Sequence, residues 1–372
     1  MFDVLIIGSG VMGMSVARNL KHHKLNIGII DRDIDGMHAS YKAGGMLGAQ
    51  NEFSKDSPTY RLALESQQYF KQLSDQLLSE VGCDIEYKET GLIKLAYKAQ
   101  DNNKVIAQHN FLSRVNPDVR LLEQQEAHRL TGNNLNIEEI MALYIPNDHQ
   151  INANKYTKAL YQSLKVNNIE RIQHTEVLAI KKGKGIYKVM TNKGDYYAPK
   201  VVVAGGAWSH KLVQAQLKDR QLTGVKGEVI LMEQEGLGLQ STIFMTNGCY
   251  LVPKNKNRVL IGATSYFDDY SVGVSQRGVD WLINSATHHI PKLKYARKLK
   301  EWSGVRPHIA NEIPIMDEVD EGLFVITGHY RNGILLSPIV GELMSKWMLT
   351  NIKPQILNDF TVKGCVLNGS HD

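Results

Sequence analysis

Short apolar runs that end in glycine-rich turns mark the chain from its first residues. Val4-Leu5-Ile6-Ile7 is apolar at every position, the pattern of a parallel strand buried on both faces. Met12, Val16 and Leu20 then recur at helical spacing, which predicts a helix with one apolar face. Leu25 to Ile30 reads as a second strand closing on Asp31. Two later runs repeat the theme. Lys200 to Val203 leads into Ala204-Gly205-Gly206, and Leu323 to Thr327 leads into Gly328-His329-Tyr330-Arg331-Asn332-Gly333, with a helical stretch from Val340 to Leu349 beyond it. Elsewhere Glu89 to Ala96, Lys226 to Met232 and Cys249 to Pro253 carry strand patterns. Apolar strands alternating with helices predict an α/β fold built on a parallel sheet.

The turn after the first strand carries the most chemistry. Gly8-Ser9-Gly10-Val11-Met12-Gly13 follows a strand, opens a helix, and is answered by a strand ending in an acid within about thirty residues, the full dinucleotide-binding context. Gly8 allows the tight turn, Gly10 lets backbone approach a pyrophosphate, and Gly13 permits close helix–strand packing. The helix N-terminus offers free N–H groups to phosphate oxygens. Asp31 stands where a carboxylate accepts hydrogen bonds from a ribose. The fingerprint identifies an ADP moiety and is common to NAD and FAD. The loop from Ala39 to Gly48, with Ala43-Gly44-Gly45 at its centre, has no bulky side chain in the middle and suits close approach of a flat ligand.

Composition narrows the field. The 372 residues hold 43 Lys+Arg against 38 Asp+Glu, a net charge of +5, and 43% of residues are hydrophobic, which excludes disorder for most of the chain and suggests two or three domains at about 150 residues each. Cys83, Cys249 and Cys365 are too few and too scattered for a disulfide framework or a metal site, and a reduced, cytoplasmic setting is expected. The N-terminus lacks the features of a signal peptide, and no stretch approaches the ~18 apolar residues of a membrane span. The thirteen histidines show no metal-ligand spacing, and the pairs His22-His23 and His288-His289 fall near predicted helix ends, where solvent exposure is expected. No metal is expected. The one strong basic run, Pro291 to Lys300, reads as a solvated helix face or strand edge, so no nucleic-acid partner is expected.

Together GSGVMG, AGGMLGA, VVVAGGAWS, CYLVPK with IGAT, WSGVRP and GHYRNGILLSP resemble the FAD-dependent glycine oxidases of thiamine biosynthesis, within the wider family of D-amino acid oxidases and sarcosine oxidases. The resemblance implies a Rossmann-like FAD-binding domain in discontinuous pieces, 1–80, 146–215 and 302–372. A substrate domain carrying an antiparallel sheet is interleaved with it at 81–145 and 216–301. It implies FAD contacts from Gly8, Gly10, Val11, Met12, Gly13, Asp31 and Arg32, and from Ser40, Ala43, Gly44, Gly45, Met46 and Leu47 in the following loop. Val177, Ala204, Gly205, Gly206 and Trp208 are expected to contribute further, as are Gly328, His329, Arg331, Asn332, Gly333 and Ile334. No cysteine stands near the GHYRNG turn, where sarcosine oxidases attach their flavin, so non-covalent FAD is expected.

A small amino acid offers a carboxylate, an amine and a Cα–H bond, and its oxidation requires positioning more than acid–base chemistry. A carboxylate is best held by the planar fork of an arginine. By resemblance Arg306 is that residue and Tyr250 assists it; Arg331 contacts substrate, stabilises charge on the reduced cofactor, or forms an interdomain salt bridge. Gly248 replaces a histidine found in relatives, and Ser265 stands where a bulkier residue occurs. Both are expected to line the substrate cavity and to widen specificity from glycine towards sarcosine and small D-amino acids. The expected activity is oxidation to the imine with O2 reduced to H2O2, feeding thiazole formation, in a homo-oligomer, tetramers being frequent among the enzymes it resembles. The alternatives are a D-amino acid dehydrogenase with another acceptor, an RNA-acting relative, and an NAD dehydrogenase or catalytically silent flavoprotein.

Overall fold

Why the all-apolar runs are all-apolar is answered by the central sheet. In the computed structural model, which describes residues 1–33, 38–132, 134–135 and 139–363, six strands lie in the order Ile315–Asp320, Leu323–Thr327, Lys200–Val203, Val4–Ile7, Ile27–Ile30 and Glu170–Ile172. Five run parallel and the edge strand Ile315–Asp320 is antiparallel. Successive side chains point to opposite faces. Val4 and Ile6 therefore pack into a core shared with the helices Val11–Leu20, Pro58–Val81, Ala153–Val166 and Gly333–Thr350, while Leu5 and Ile7 pack towards Tyr187, Val189 and Ala198. Those three residues belong to a three-stranded antiparallel sheet, Val177–Lys182, Tyr187–Thr191 and Gly194–Ala198. A polar residue on either face of the first strand would be buried without water.

The helix layer is set by local signals. Ser57 caps Pro58–Val81 by accepting from Tyr60 N at 3.1 Å, Pro58 occupies the first helical position, and Gly82 ends the helix at φ 66°. A methyl group at Gly341 would lie 2.8 Å from the Ser15 backbone, so this glycine lets Gly333–Thr350 pack closely on Val11–Leu20. That last helix starts at Gly333, earlier than the predicted Val340, and continues through Pro338. Proline in its sixth position removes the backbone donor to Ile334 O, and that carbonyl instead accepts from Ser337 Oγ at 2.8 Å. The predicted strand at Leu25 is likewise trimmed to Ile27–Ile30, and Glu89 to Ala96 to Leu92–Leu95.

The second large sheet is mixed. Tyr266–Phe267, Leu222–Glu233, Arg258–Gly262, Tyr250–Lys254, Thr242–Met245, Leu92–Leu95, Ala142–Ile145 and Arg120–Leu121 follow in order, and Arg297–Ile309 pairs with Leu222–Glu233 along almost its whole length. The pairing is antiparallel except between Thr242–Met245 and Leu92–Leu95, which run parallel because no hairpin joins these distant pieces. One face, including Ile230, Leu251 and Ile261, packs on the helix Gln276–His289. The other carries Val229, Phe244, Tyr250 and Val252. Arg297–Ile309 is continuous across residue 301, so the expected segment boundary at 301/302 falls inside a strand.

One expectation about exposed polar groups changes, at His289, whereas the basic run Pro291 to Lys300 is solvated as read, with Lys294, Arg297, Lys298 and Lys300 exposed. His289 is buried, not solvated, and its Nε2 lies 3.0 Å from Tyr97 O; only His288 of that pair is exposed. The basic run folds as a 3-10 turn, Pro291–Tyr295, and the start of a strand, where Arg297 pairs with Glu233 and Lys298 with Glu301. Cys83 and Cys249 are free thiols; Cys365 lies outside the described residues. No helix among the described residues is long and apolar enough to cross a membrane.

Candidate functional site

Four of the parallel strands end at the same edge of the central sheet, which is where open α/β sheets bind ligands. There Gly8, Asp31, Ala204 and His329 border a cavity of about 580 Å³ that continues to the inner face of the large mixed sheet. Gly8 has φ 105°, and a Cβ on it would come 2.5 Å from Ala204 O. Gly10 caps the helix Val11–Leu20 without any side-chain hydrogen bond, and Val11 N donates to Ser40 Oγ at 3.0 Å. Asp31 accepts from Ser9 N at 2.7 Å, Ser9 Oγ at 2.8 Å and Asp33 N at 3.0 Å, so the glycine turn and the acid are tied into one unit. Trp208 is flanked by the Arg32 guanidinium, 4.2 Å from its ring centroid, and by the rings of His38 and Tyr270. Asp31, Asp33 and His38 lie close enough together for a metal ion, but Asp33 and His38 are already bonded to each other and Asp31 is satisfied by backbone.

At the far end of this cavity the backbone makes room for two large side chains. The Arg306 guanidinium lies flat on Gly227, where a Cβ would sit 2.2 Å from Nη2. Its Nη1 donates to Thr264 O at 3.2 Å, and no carboxylate among the described residues pairs with it. Burial lowers its pKa from the ordinary arginine value. Tyr250 pairs in register with Gly262, and its ring covers that glycine at a distance that leaves no space for a Cβ. Gly44 supports the ring's other side, with a Cβ there falling 3.1 Å from it, and Phe244 stacks at 6.2 Å between centroids. Burial pushes the Tyr250 phenol up.

Arg331 is held by Glu52 at 3.0 Å and sits 5.0 Å over the Phe244 ring. Burial opposes its charge, but the Glu52 carboxylate outweighs this and raises its pKa. Lys94 lies 4.9 Å from the same ring centroid and donates to Asn51 O at 3.3 Å; burial pushes its amine down to about 8. His329 is buried, its Nε2 has no partner, and burial pushes its pKa down to about 3, so the imidazole is neutral at physiological pH. Gly248, Asn247 and Ser265 also line the cavity, with Arg277 and Trp281 from one face of the helix Gln276–His289. A side chain at Gly248 would meet open space, although φ 90° favours glycine there.

The family model described as "FAD dependent oxidoreductase" matches residues 3–347. The chain belongs to this family. FAD is the cofactor of this FAD-dependent oxidoreductase. The chain is 37% identical to the glycine oxidase of Geobacillus kaustophilus over 347 residues, 92% of each chain. The crystal structure of that organism's glycine oxidase superposes with a TM-score of 0.92 at 35% identity, covering 97% of this chain and 98% of that one. The glycine oxidase structure from Bacillus cereus ATCC 14579 gives 0.91 at 32% identity, covering 99% and 100%. The "Bifunctional protein ThiO/ThiG" of Trichormus variabilis is 27% identical over 96% of this chain and 54% of its own length.

The cavity of the oxidoreductase fits a dinucleotide on its own evidence: glycines that no Cβ could replace, two helix N-termini without side-chain caps at Gly10 and Asn332, and the orphaned Nε2 of His329. Of the residues expected to touch the cofactor or substrate, all but three line it. Gly13 lies outside because it serves packing: a Cβ there would be 2.0 Å from Gly8 O. Leu47 is wholly buried in the helix-side core, and Gly328 at φ 81° packs under Ile309. Sequence reasoning missed Glu52, Gly227, Asn247, Arg277 and Trp281, which also line the cavity. Only Gly227 carried a local signal, an isolated glycine inside a strand, which marks close approach by another group.

Proposed function

We propose that the chain oxidises glycine to its imine, with O2 reduced to H2O2, and that the imine is hydrolysed to glyoxylate and ammonia or passed to thiazole formation. The glycine oxidases to which it is similar support this reading, and the thiazole link follows from the resemblance to enzymes of thiamine biosynthesis. The observation that carries it is Arg306: a half-buried cation lining the cavity, without a carboxylate partner among the described residues, is built to receive one from outside. Tyr250 adds a hydroxyl beside it. Gly248 and Ser265 leave the space that would admit sarcosine and small D-amino acids.

FAD, held non-covalently, supplies the acceptor for the two electrons of the Cα–H bond. In this reading Gly8, Gly10 and the N-terminus of Val11–Leu20 take the pyrophosphate, and Asp31 takes the ribose. Gly44, Gly45, His329 and the N-terminus of Gly333–Thr350 bed the remainder. Arg306 and Tyr250 bind the substrate carboxylate and thereby orient the Cα–H bond. Burial keeps His329 as the neutral imidazole, which retains a single N–H donor, and the reaction as proposed asks no residue of the chain to act as acid or base. The two-part organisation belongs to the same proposal, the central-sheet region holding FAD and the large mixed sheet covering the substrate.

Purified protein should be yellow, bleach under nitrogen on adding glycine, and consume O2 with glycine; bleaching without O2 uptake would assign a different electron acceptor. Arg306→Ala should lower kcat/KM for glycine by the equivalent of about 2–5 kcal/mol, mainly through KM, with the flavin spectrum intact. Near-native kinetics in that variant would remove Arg306 from the carboxylate role.

A further inference from the structure

Lysine ordinarily extends its amine into water along an apolar stem. Lys254 does the opposite. It lies at the end of Tyr250–Lys254 on the same face as Tyr250 and Val252, by the alternation of a strand. Its Nζ points inwards and donates to Gly44 O at 3.0 Å, Ile151 O at 3.0 Å and Gln150 Oε1 at 3.2 Å. An ammonium has three donors and no acceptor, so this set is complete. Burial pushes the amine down to about 7, with Glu86 working to keep the charge and Lys88 against it. No carboxylate among the described residues is close enough to form an ion pair with it. A desolvated amine that gains only neutral oxygen partners is poorly explained by stability alone.

The three acceptors identify what the amine holds. Gly44 and Gly45 line the cavity, and Gly45 N-terminal to Met46 is already stitched to the 149–151 segment: Ile151 N donates to Gly45 O at 2.8 Å and Met46 pairs with Gln150. Gly45 adopts φ 81°, and a Cβ on it would strike Ile151 O at 2.1 Å. Gly44 in turn supports the Tyr250 ring. One side chain thus binds both strands of this small ribbon to the strand that carries Tyr250.

We propose that Lys254 is a positioning residue that couples the two halves of the site, fixing the Gly44–Gly45 loop against the substrate-side strand so that the bed for FAD and the place of the Tyr250 hydroxyl are set together. The inference rests on reading Gly44 and Gly45 as FAD contacts and Tyr250 as a substrate contact.

Lys254→Met keeps the stem and removes all three donors. Losing charge-assisted hydrogen bonds to the loop should raise the FAD dissociation constant of the apoprotein about tenfold or more and displace the visible flavin band. It should raise the glycine KM about tenfold while kcat changes less than about threefold. A role in stability alone would lower Tm and leave FAD affinity, flavin spectrum and KM of the folded protein as they were; that result overturns the proposal. If Lys254→Met does not accumulate folded, Lys254→Gln retains two donors and should show the same split at smaller size, and unchanged FAD affinity and KM in it would be equally decisive against. Native protein that neither retains FAD nor oxidises glycine would take down the underlying reading, and the proposal with it, before any variant is compared.

Discussion

Arg306 illustrates how a single side chain gains its meaning from residues far away in sequence. Its guanidinium can lie in the cavity wall because Gly227, on the neighbouring strand, offers no Cβ. This gives a prediction with two opposed readouts. Gly227→Ala should leave Tm unchanged or slightly higher, since alanine loses less backbone entropy than glycine in a strand. If Arg306 holds the substrate carboxylate as proposed, it should nevertheless cost about tenfold or more in kcat/KM for glycine, with the flavin spectrum unaltered, because the new methyl displaces the guanidinium. Equal kinetics in the two proteins would show that the guanidinium accommodates the methyl without moving. Arg331 shows the converse. Its position in the GHYRNG turn was readable, but its partner Glu52 was not, because the two meet only when the 48–52 turn is folded against the large sheet. Buried Asp148 holds that turn, accepting from Gln50 N at 3.1 Å and Asn51 N at 2.7 Å.

Among elements, three helices packed on the central sheet are tied together by one carboxylate. Glu80, near the end of Pro58–Val81, accepts from Arg18 at 2.8 Å and from Lys21 on or just beyond Val11–Leu20, and from Ser163 at 3.0 Å and Asn167 at 2.6 Å at the end of Ala153–Val166. Burial alone would raise its pKa, but the bonds from Lys21 and Arg18 outweigh it and hold the carboxyl at about 2, against the usual 4.5. A depressed carboxylate contributes stability that is fully present above its unfolded pKa and is lost as the pH falls through the folded one. Thermal melts should therefore show Glu80→Gln about 2 °C or more below native protein at pH 7, with the gap closing between pH 4.5 and 2. A gap independent of pH would mean that packing at this junction, not charge, is what the substitution disturbs. The strands and helices themselves were legible to within a few residues where their pattern was long, as in Val4–Ile7 and Lys200–Val203. They were misplaced where the period was broken, as at Pro338 inside Gly333–Thr350.

For the whole molecule, the manner of holding FAD gives a prediction that needs no variant. No cysteine among the described residues lines the cavity. Acid precipitation of the holoenzyme should accordingly leave the yellow colour in the supernatant and a white pellet, whereas a coloured pellet would reveal a covalent bond. By itself the sequence determined the glycine turn after the first strand and the parallel sheet, and with it the edge at which open α/β sheets bind ligands. These follow from local rules: a strand buried on both faces must be apolar throughout, a tight turn under a pyrophosphate must be glycine, and a following helix must open towards it. The tertiary structure alone decided which cations are free and which are spent. Arg306, Arg331, Lys94 and Lys254 are all cationic residue types, yet one lies in the cavity wall without a carboxylate partner among the described residues, one is neutralised by Glu52, one is pressed against Phe244, and one is enclosed by three oxygens. Charge and hydrogen bonding act through distances of a few ångströms, and those distances are set by segments tens to hundreds of residues apart that meet only in the folded chain.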